Sequence, residues 1–314
     1  MSATPVISVR DLHRSFADVH AVRGISFDVL PGQVVGFIGA NGAGKTTTMR
    51  MMATLDLPTA GTIVVDGSDV VSEPATARRR IGWMPDAYGH YDHTTVFEYL
   101  DFFARSYGYS STDRARRVDD VMTFADLHPI ADRMMDKLSK GMGQRLCLGR
   151  TLLHDPAVLI LDEPAAGLDP KARVEFKNLV RLLAAEGKTI FISSHILSEL
   201  AEMCDTLLFI DAGHIVHHGS ADSLLEDTAT TAQIDVRVHG DPEALARWVA
   251  VNPEVSLIET RREGARLAFE RADPESLAAA LRKMITDGVP VTDFHRENRR
   301  LEDAFVDILK KVQP

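Results

Sequence analysis

Short apolar, β-branched runs alternate with longer stretches of helical period from Val6 to about Gly219. VVGFIG (34–39), AVLIL (157–161) and TLLFI (206–210) are too short for helices and almost free of polar positions, as strands covered on both faces are. The alternation predicts an α/β core around a largely parallel sheet. The first runs differ: VISVRDL (6–12), AVRGISFDVL (21–30) and GTIVVDG (61–67) predict an antiparallel β layer around the first core strand. A second, helical region is expected from Thr94 to Phe124. The period of TVFEYLDFFARSYG (95–108) puts Phe97, Leu100 and Phe103 or Ala104 on one side, with Phe97 and Phe103 filling the helical core.

The composition shifts at Asp222 to Thr231, where SLLEDTATTA reads as a helix end running into a linker. Beyond it the expected order is strand 233–238, helix 241–251, strands 255–261 and 264–271, helix 274–287 and strand 289–295. That βαββαβ order is the split pattern of ferredoxin-like domains. A final helix, LEDAFVDILKKV (301–312), aligns Leu301, Phe305, Ile308, Leu309 and Val312 on one face and is expected to dock. The chain therefore reads as a large domain over 1–222, with a helical subdomain at about 90–155, and a small α+β domain over 232–314.

Composition narrows the function classes. A 45% hydrophobic and 25% charged chain of 314 residues suits a globular protein. No window approaches the roughly 18 apolar residues of a membrane span. The start MSATPVISVR has neither a basic leader nor an apolar signal core, so secretion is not expected. The two cysteines, Cys147 and Cys204, suit a reducing compartment. The net charge of −10 opposes nucleic acid as a partner and opposes direct adhesion to anionic lipid. Work at a membrane would need another protein to hold the chain there.

GANGAGKT (39–46) matches the phosphate-binding pattern G-x-x-x-x-G-K-[ST] in full, with an apolar strand before it and a helix, TTTMRMMATL (46–55), after it. The candidate binding residues are Gly39, Asn41, Gly42, Ala43, Gly44, Lys45, Thr46 and Thr47. Glycines let backbone N–H groups turn toward phosphate oxygens, and the helix start adds its dipole. Lys45 is expected on the β- and γ-phosphates and the Thr46 hydroxyl on Mg²⁺. In AVLILDEP (157–164), Asp162 stands at a strand end to reach the Mg²⁺ shell, and Glu163 follows to polarise an attacking water. ATP and Mg²⁺ are the expected substrate and cofactor. His214, His217 and His218, and His90 with His93, lack a completing cysteine and read as surface residues rather than a metal site.

The segments between these elements resemble the ABC ATPase superfamily. LSKGM (138–142), twenty positions before Asp162, is similar to its signature loop, usually LSGGQ; Lys140 replaces a glycine and Met142 a glutamine. The resemblance implies that Ser139 and Gly141 contact the γ-phosphate of a nucleotide held by a second subunit, in a head-to-tail homodimer or heterodimer. AGLDP (166–170) resembles the D-loop with Asp169 at its acidic position, and ISSHILSEL (192–200) the switch segment with His195 near the attacking water. Phe16 matches the aromatic that stacks on adenine. Asp86 stands where glutamine is usual, and still offers an oxygen to Mg²⁺. All five tyrosines, Tyr88, Tyr91, Tyr99, Tyr107 and Tyr109, fall in the segment that receives a permease helix in the family; Tyr88 and Tyr91 are expected at that interface. MPDAYGHYD, LSKGM and the ending RRLEDAFVDILKK are similar to subunits pairing with type-2 exporter permeases encoded separately. The resemblance implies a P-loop ATPase core, an exporter, and residence on the cytoplasmic face of the membrane. The rivals are a soluble ABC ATPase outside transport and a regulator that hydrolyses weakly.

Overall fold

The computed structural model describes residues 4–87, 89, 91–221, 223–224, 232–240, 243–269, 273–296, 301 and 305. Contacts divide the chain into two units, Met1–Ala221 and Asp222–Pro314.

The first unit holds two sheets. Strands β1 (Ile7–Phe16), β2 (Val19–Val29), β4 (Ala60–Val65) and β5 (Ser68–Asp69) form an antiparallel layer in the order β2-β1-β4-β5. Strand β3 (Val34–Ile38) belongs instead to a six-stranded sheet with β6 (Ile81–Met84), β7 (Val158–Leu161), β8 (Thr189–Ser194), β9 (Thr206–Asp211) and β10 (His214–Gly219), ordered β10-β9-β3-β8-β7-β6. All its pairings are parallel except β9 with β10. Every residue of β3 and β7 and the four central residues of β9 are buried, which is why those runs lack polar alternation. One core packs the two layers together, with Phe27 stacked on Phe191 at 5.6 Å.

Helices α1 (Lys45–Met52) and α2 (Pro74–Arg80) follow β3 and β5, and α6 (Pro170–Ala185) and α7 (Leu197–Ala201) follow β7 and β8. The helical region consists of α3 (Val96–Ser106), α4 (Ser111–Phe124) and α5 (Lys140–Leu152). A capping box starts α3: Glu98 N–H donates to Thr95 Oγ1 at 3.2 Å, and Thr95 N–H donates to Glu98 Oε2 at 2.8 Å. The buried face of α3 is Val96, Tyr99, Leu100 and Ala104, with Phe103 half-buried. Phe97 is not a core residue; it is 46% exposed, a correction to the expected face. A helix stripe recurs at three and four positions, so Val96, Tyr99 and Leu100 set it and Phe97 turns away beside Asp101 and Arg105.

The second unit runs β11 (Ala232–Val238), α8 (Glu243–Ala250), β12 (Val255–Arg261), β13 (Gly264–Phe269), α9 (Pro274–Thr286) and β14 (Val291–Arg296). Its antiparallel sheet has the order β12-β13-β11-β14. The split arises because β11 lies between β13 and β14, away from its chain neighbour β12. Ile234, Val236, Leu245, Trp248, Leu267 and Met284 form its core. The final helix expected over 301–312 lies outside the described residues except for Leu301 and Phe305, as do Tyr88, His90 and most of the linker.

Candidate active site

Strand β3 delivers the chain into the glycine-rich loop, and α1 begins at Lys45. Gly42 and Gly44 have φ of 83° and 110°, where a side chain is strained. A Cβ at Gly44 would also lie 2.5 Å from the Ala21 carbonyl oxygen, and one at Gly39 would lie 2.3 Å from that of Ile210. No side chain caps α1 and no acidic residue occupies its first turn, which leaves its opening N–H groups and positive dipole end toward the cavity. Lys45 is 5% exposed. Its ammonium donates to the Gly39 carbonyl at 2.7 Å and stands 3.5 Å from Glu163 Oε1.

The end of β7 supplies the two carboxylates. Asp162 is 2% exposed, and its N–H donates to the Met84 carbonyl at 2.9 Å, tying it to β6. Burial pushes its carboxyl above the usual range; hydrogen bonds from Ser193 and Thr46 pull it down, and the charges of Glu163 and Asp86 push it up again. Glu163 has φ of 47°, in the left-handed region that disfavours side chains. Ser193 holds both residues: its hydroxyl donates to Asp162 Oδ1 at 2.7 Å and accepts from Glu163 N–H at 2.8 Å. Glu163 Oε2 lies 2.9 Å from His195 Nδ1. This Ser193 bridge was not anticipated from the sequence. The signal available was a polar pair, Ser193–Ser194, closing the otherwise apolar strand TIFISS, one step past the β7–β8 register pair Leu161↔Ile192.

Asn41, Lys45, Thr46, Asp86, Glu163 and His195 line one cavity of about 310 Å³, with Gly42, Gly44 and Thr47. Gly39 and Ala43 support it through the backbone: the Ala43 carbonyl accepts from Gly213 N–H at 3.0 Å. Phe16 stands outside this cavity, 45% exposed, with the Arg14 guanidinium 4.3 Å above its ring. Ser139, Gly141 and Asp169 line a separate hollow of about 260 Å³ at the starts of α5 and α6. There Ser139 caps α5 through Met142 N–H at 3.3 Å, and Asp169 caps α6 through Ala172 N–H at 2.8 Å. Phe16 aside, the site residues thus gather around two separate places within one chain. Among the described residues, no cluster of three or more histidine, cysteine or acidic side chains could hold a metal by itself.

A parallel sheet, a glycine-rich loop with a buried lysine at the helix start, and a carboxylate pair at a neighbouring strand end define a P-loop nucleoside triphosphatase. Comparison with known proteins narrows the class. Residues 22–166 match the ABC transporter family. The chain is 35% identical over 307 residues to Nod factor export ATP-binding protein I of Ralstonia nicotianae, covering 98% of this chain and 94% of that one. It is 38% identical over 226 residues to the ABC transporter ATP-binding protein NatA of Bacillus subtilis, covering 70% and 92%. A solved Clostridium perfringens component of the ABC transporter complex cbiONQ superposes with a TM-score of 0.64 at 26% identity, covering 71% and 91%. The chain belongs to the ATP-binding subunits of ABC transporters, and is an ATPase of that family.

Proposed function

We propose that this subunit drives export through a separate permease, by closing on ATP as a dimer and reopening after hydrolysis at Glu163. The observation that carries the reading is the meeting of Lys45, Glu163 and His195 in one cavity, with Glu163 2.9 Å from the imidazole and 3.5 Å from the ammonium. Lys45 and the loop N–H groups hold the β- and γ-phosphates. Glu163, oriented by His195 and anchored through Ser193, polarises the water that attacks the γ-phosphate. Phe16 offers its ring to adenine, one face being already covered by Arg14.

The residues present fit Mg²⁺. Thr46 and Asp86 line the cavity with oxygen ligands, and the Thr46 side chain hydrogen-bonds to the buried Asp162. Mg²⁺ is held by one or two protein oxygens together with phosphates and water, so no larger cluster is required. When bound it would neutralise charge on the nucleotide phosphates.

Ser139, Gly141 and Asp169 lie in a different hollow from the P-loop, so they serve the nucleotide of a second subunit in a homodimer or heterodimer. Two uncapped phosphate cavities and two capped helix starts then close on each other head to tail. Among the described residues no helix is long and apolar enough to cross a membrane. The path for cargo is assigned to a separately encoded permease. A groove of about 520 Å³ beside α3 is the surface for it: Tyr91, Phe97 and Phe102 are 46%, 46% and 56% exposed there. Exposed aromatics around a hollow suit an anchoring helix. Similarity over nearly the whole chain to a protein named for export supports the direction. The subunit then sits on the cytoplasmic face of the membrane, held by its permease.

Phosphate release by the purified chain and by Glu163→Gln, with size-exclusion chromatography in ATP, tests the core of this reading. Wild-type turnover, a loss of about 10²–10⁴-fold in the variant and an ATP-stabilised variant dimer are expected. Equal turnover in both proteins would refute the role of Glu163, and a monomeric variant in saturating ATP would refute the composite site.

A further inference from the structure

Arg150, near the end of α5, is a half-buried cation that the hydrolytic site does not use. Its Nη1 donates to the Tyr99 hydroxyl at 3.4 Å, its Nη2 donates to the Trp83 carbonyl at 3.2 Å, and its guanidinium stands 5.4 Å from the centre of the Phe103 ring. Among the described residues no carboxylate pairs with it. The nearby cations Arg105 and Arg114 behave differently, both binding Asp101, at 2.7 and 2.6 Å. A cation drawn out of water and held by a carbonyl, a phenol, a ring and, at 3.8 Å, the Cys147 sulfur is a poor stabilising device, since its desolvation has no full counter-charge. Its value lies in what it joins.

One end of the contact is the aromatic groove. Tyr91 meets Tyr99 at 5.6 Å and Phe103 at 6.3 Å, Tyr99 meets Phe103 at 4.8 Å, and Phe103 meets the exposed Phe102 at 5.3 Å. The rings pass without a gap from solvent to the guanidinium. The other end is β6. The Trp83 carbonyl also accepts from Thr151 Oγ1 at 3.2 Å, so successive residues of α5 grip one peptide of the strand. A Cβ at Gly82 would lie 2.7 Å from the Thr151 methyl, so β6 rides directly on α5. The next residue, Met84, accepts the Asp162 N–H, and Asp86 in the nucleotide cavity stands two positions further on.

We infer that Arg150 is a positioning residue through which the aromatic groove sets the placement of Asp86 and Asp162 in the nucleotide site. It acts through Trp83 and Met84 and touches no substrate. The inference rests on the proposed use of that cavity for ATP hydrolysis. The competing account is that Arg150 merely fastens α3 to α5.

The test uses the full chain and a double-mutant cycle of Arg150→Lys with Phe103→Leu, read as kcat, KM for ATP and Tm. Lysine keeps the charge and loses the fork that spans Tyr99 and Trp83. Arg114→Met is the control, because it loosens α4 from α3 through Asp101 without touching Arg150. We expect kcat to fall roughly ten- to a hundredfold in Arg150→Lys with KM little changed. Phe103→Leu should also lower kcat, the double variant should fall no further, and Arg114→Met should keep wild-type kcat. Independent multiplication of the two losses, or a kcat that follows Tm equally in Arg114→Met, would overturn the inference. Trp83 emission in a Trp248→Phe background reports β6 without turnover. ATP should shift it in otherwise unaltered chain and not in Arg150→Lys. A full shift in Arg150→Lys also overturns the inference, whereas a shift without hydrolysis in the unaltered chain counts against the hydrolytic reading alone.

Discussion

Replacing Ser193 by alanine removes a single oxygen and releases both carboxylate residues at the end of β7. The serine is fully buried, so water does not substitute for its hydroxyl. Asp162 loses a donor at 2.7 Å, and the Glu163 N–H loses its acceptor at 2.8 Å. A buried amide left unpaired costs about 1–3 kcal/mol, and a hydrogen bond to an ionised acceptor contributes about 1.5–3 kcal/mol. These overlap, because Glu163 relaxes from its strained φ of 47° once its anchor is gone. That relaxation moves the carboxylate off His195, so a transition-state loss of about 1–3 kcal/mol is expected, or roughly 5- to 150-fold in kcat. Tm should fall by roughly 3 °C for each kcal/mol of stability lost. The pH profile gives an independent reading. Burial already raises the Asp162 carboxyl, and Ser193 is one of two hydrogen bonds pulling it down. Its loss raises the carboxyl further, so Asp162 protonates earlier as pH falls and the acid limb of kcat/KM moves to higher pH. Steady-state phosphate release across pH, with thermal unfolding alongside, measures all three. A variant within about twofold of wild type in kcat, with its acid limb unmoved, would refute the bridging role of Ser193.

Asp86→Gln should keep kcat within about threefold of wild type, since glutamine retains a carbonyl ligand; its acid limb should move to lower pH, because one charge that raises the Asp162 carboxyl is gone. A collapse of turnover, or a limb moving upward, would show that the Asp86 carboxylate has its own role. Leu267→Ala, in the fully buried core of the second unit, should cost about 2–5 kcal/mol and lower an unfolding transition of that unit while ATP turnover at 25 °C persists. Loss of turnover in step with that transition would show that the first unit depends on the second.

Local patterns carried most of the fold. Strands β3, β7 and β9 are legible because a parallel strand buried on both faces has little room for a polar side chain. The glycine-rich loop is equally local: eight consecutive residues make the turn, the helix start and the lysine, so spacing alone specifies their geometry. The strands and helices of the second unit follow the same logic of period and turn, and their order suggests the split sheet.

Contacts between distant segments were decided only by the tertiary structure. Phe97 carries the same apolar label as Phe103, yet one faces solvent and the other packs toward Arg150, because the helix phase is set by what α4 and α5 bury against it. Ser193 meets Asp162 across 31 positions through the parallel register of β7 and β8, a relation no local period encodes. The separation of Ser139, Gly141 and Asp169 from the P-loop cavity has the same origin. Sequence spacing determines which residues share a turn or a face, since those distances follow from backbone geometry. Which faces then meet depends on the packing of a whole core, and that is a property of all the elements together.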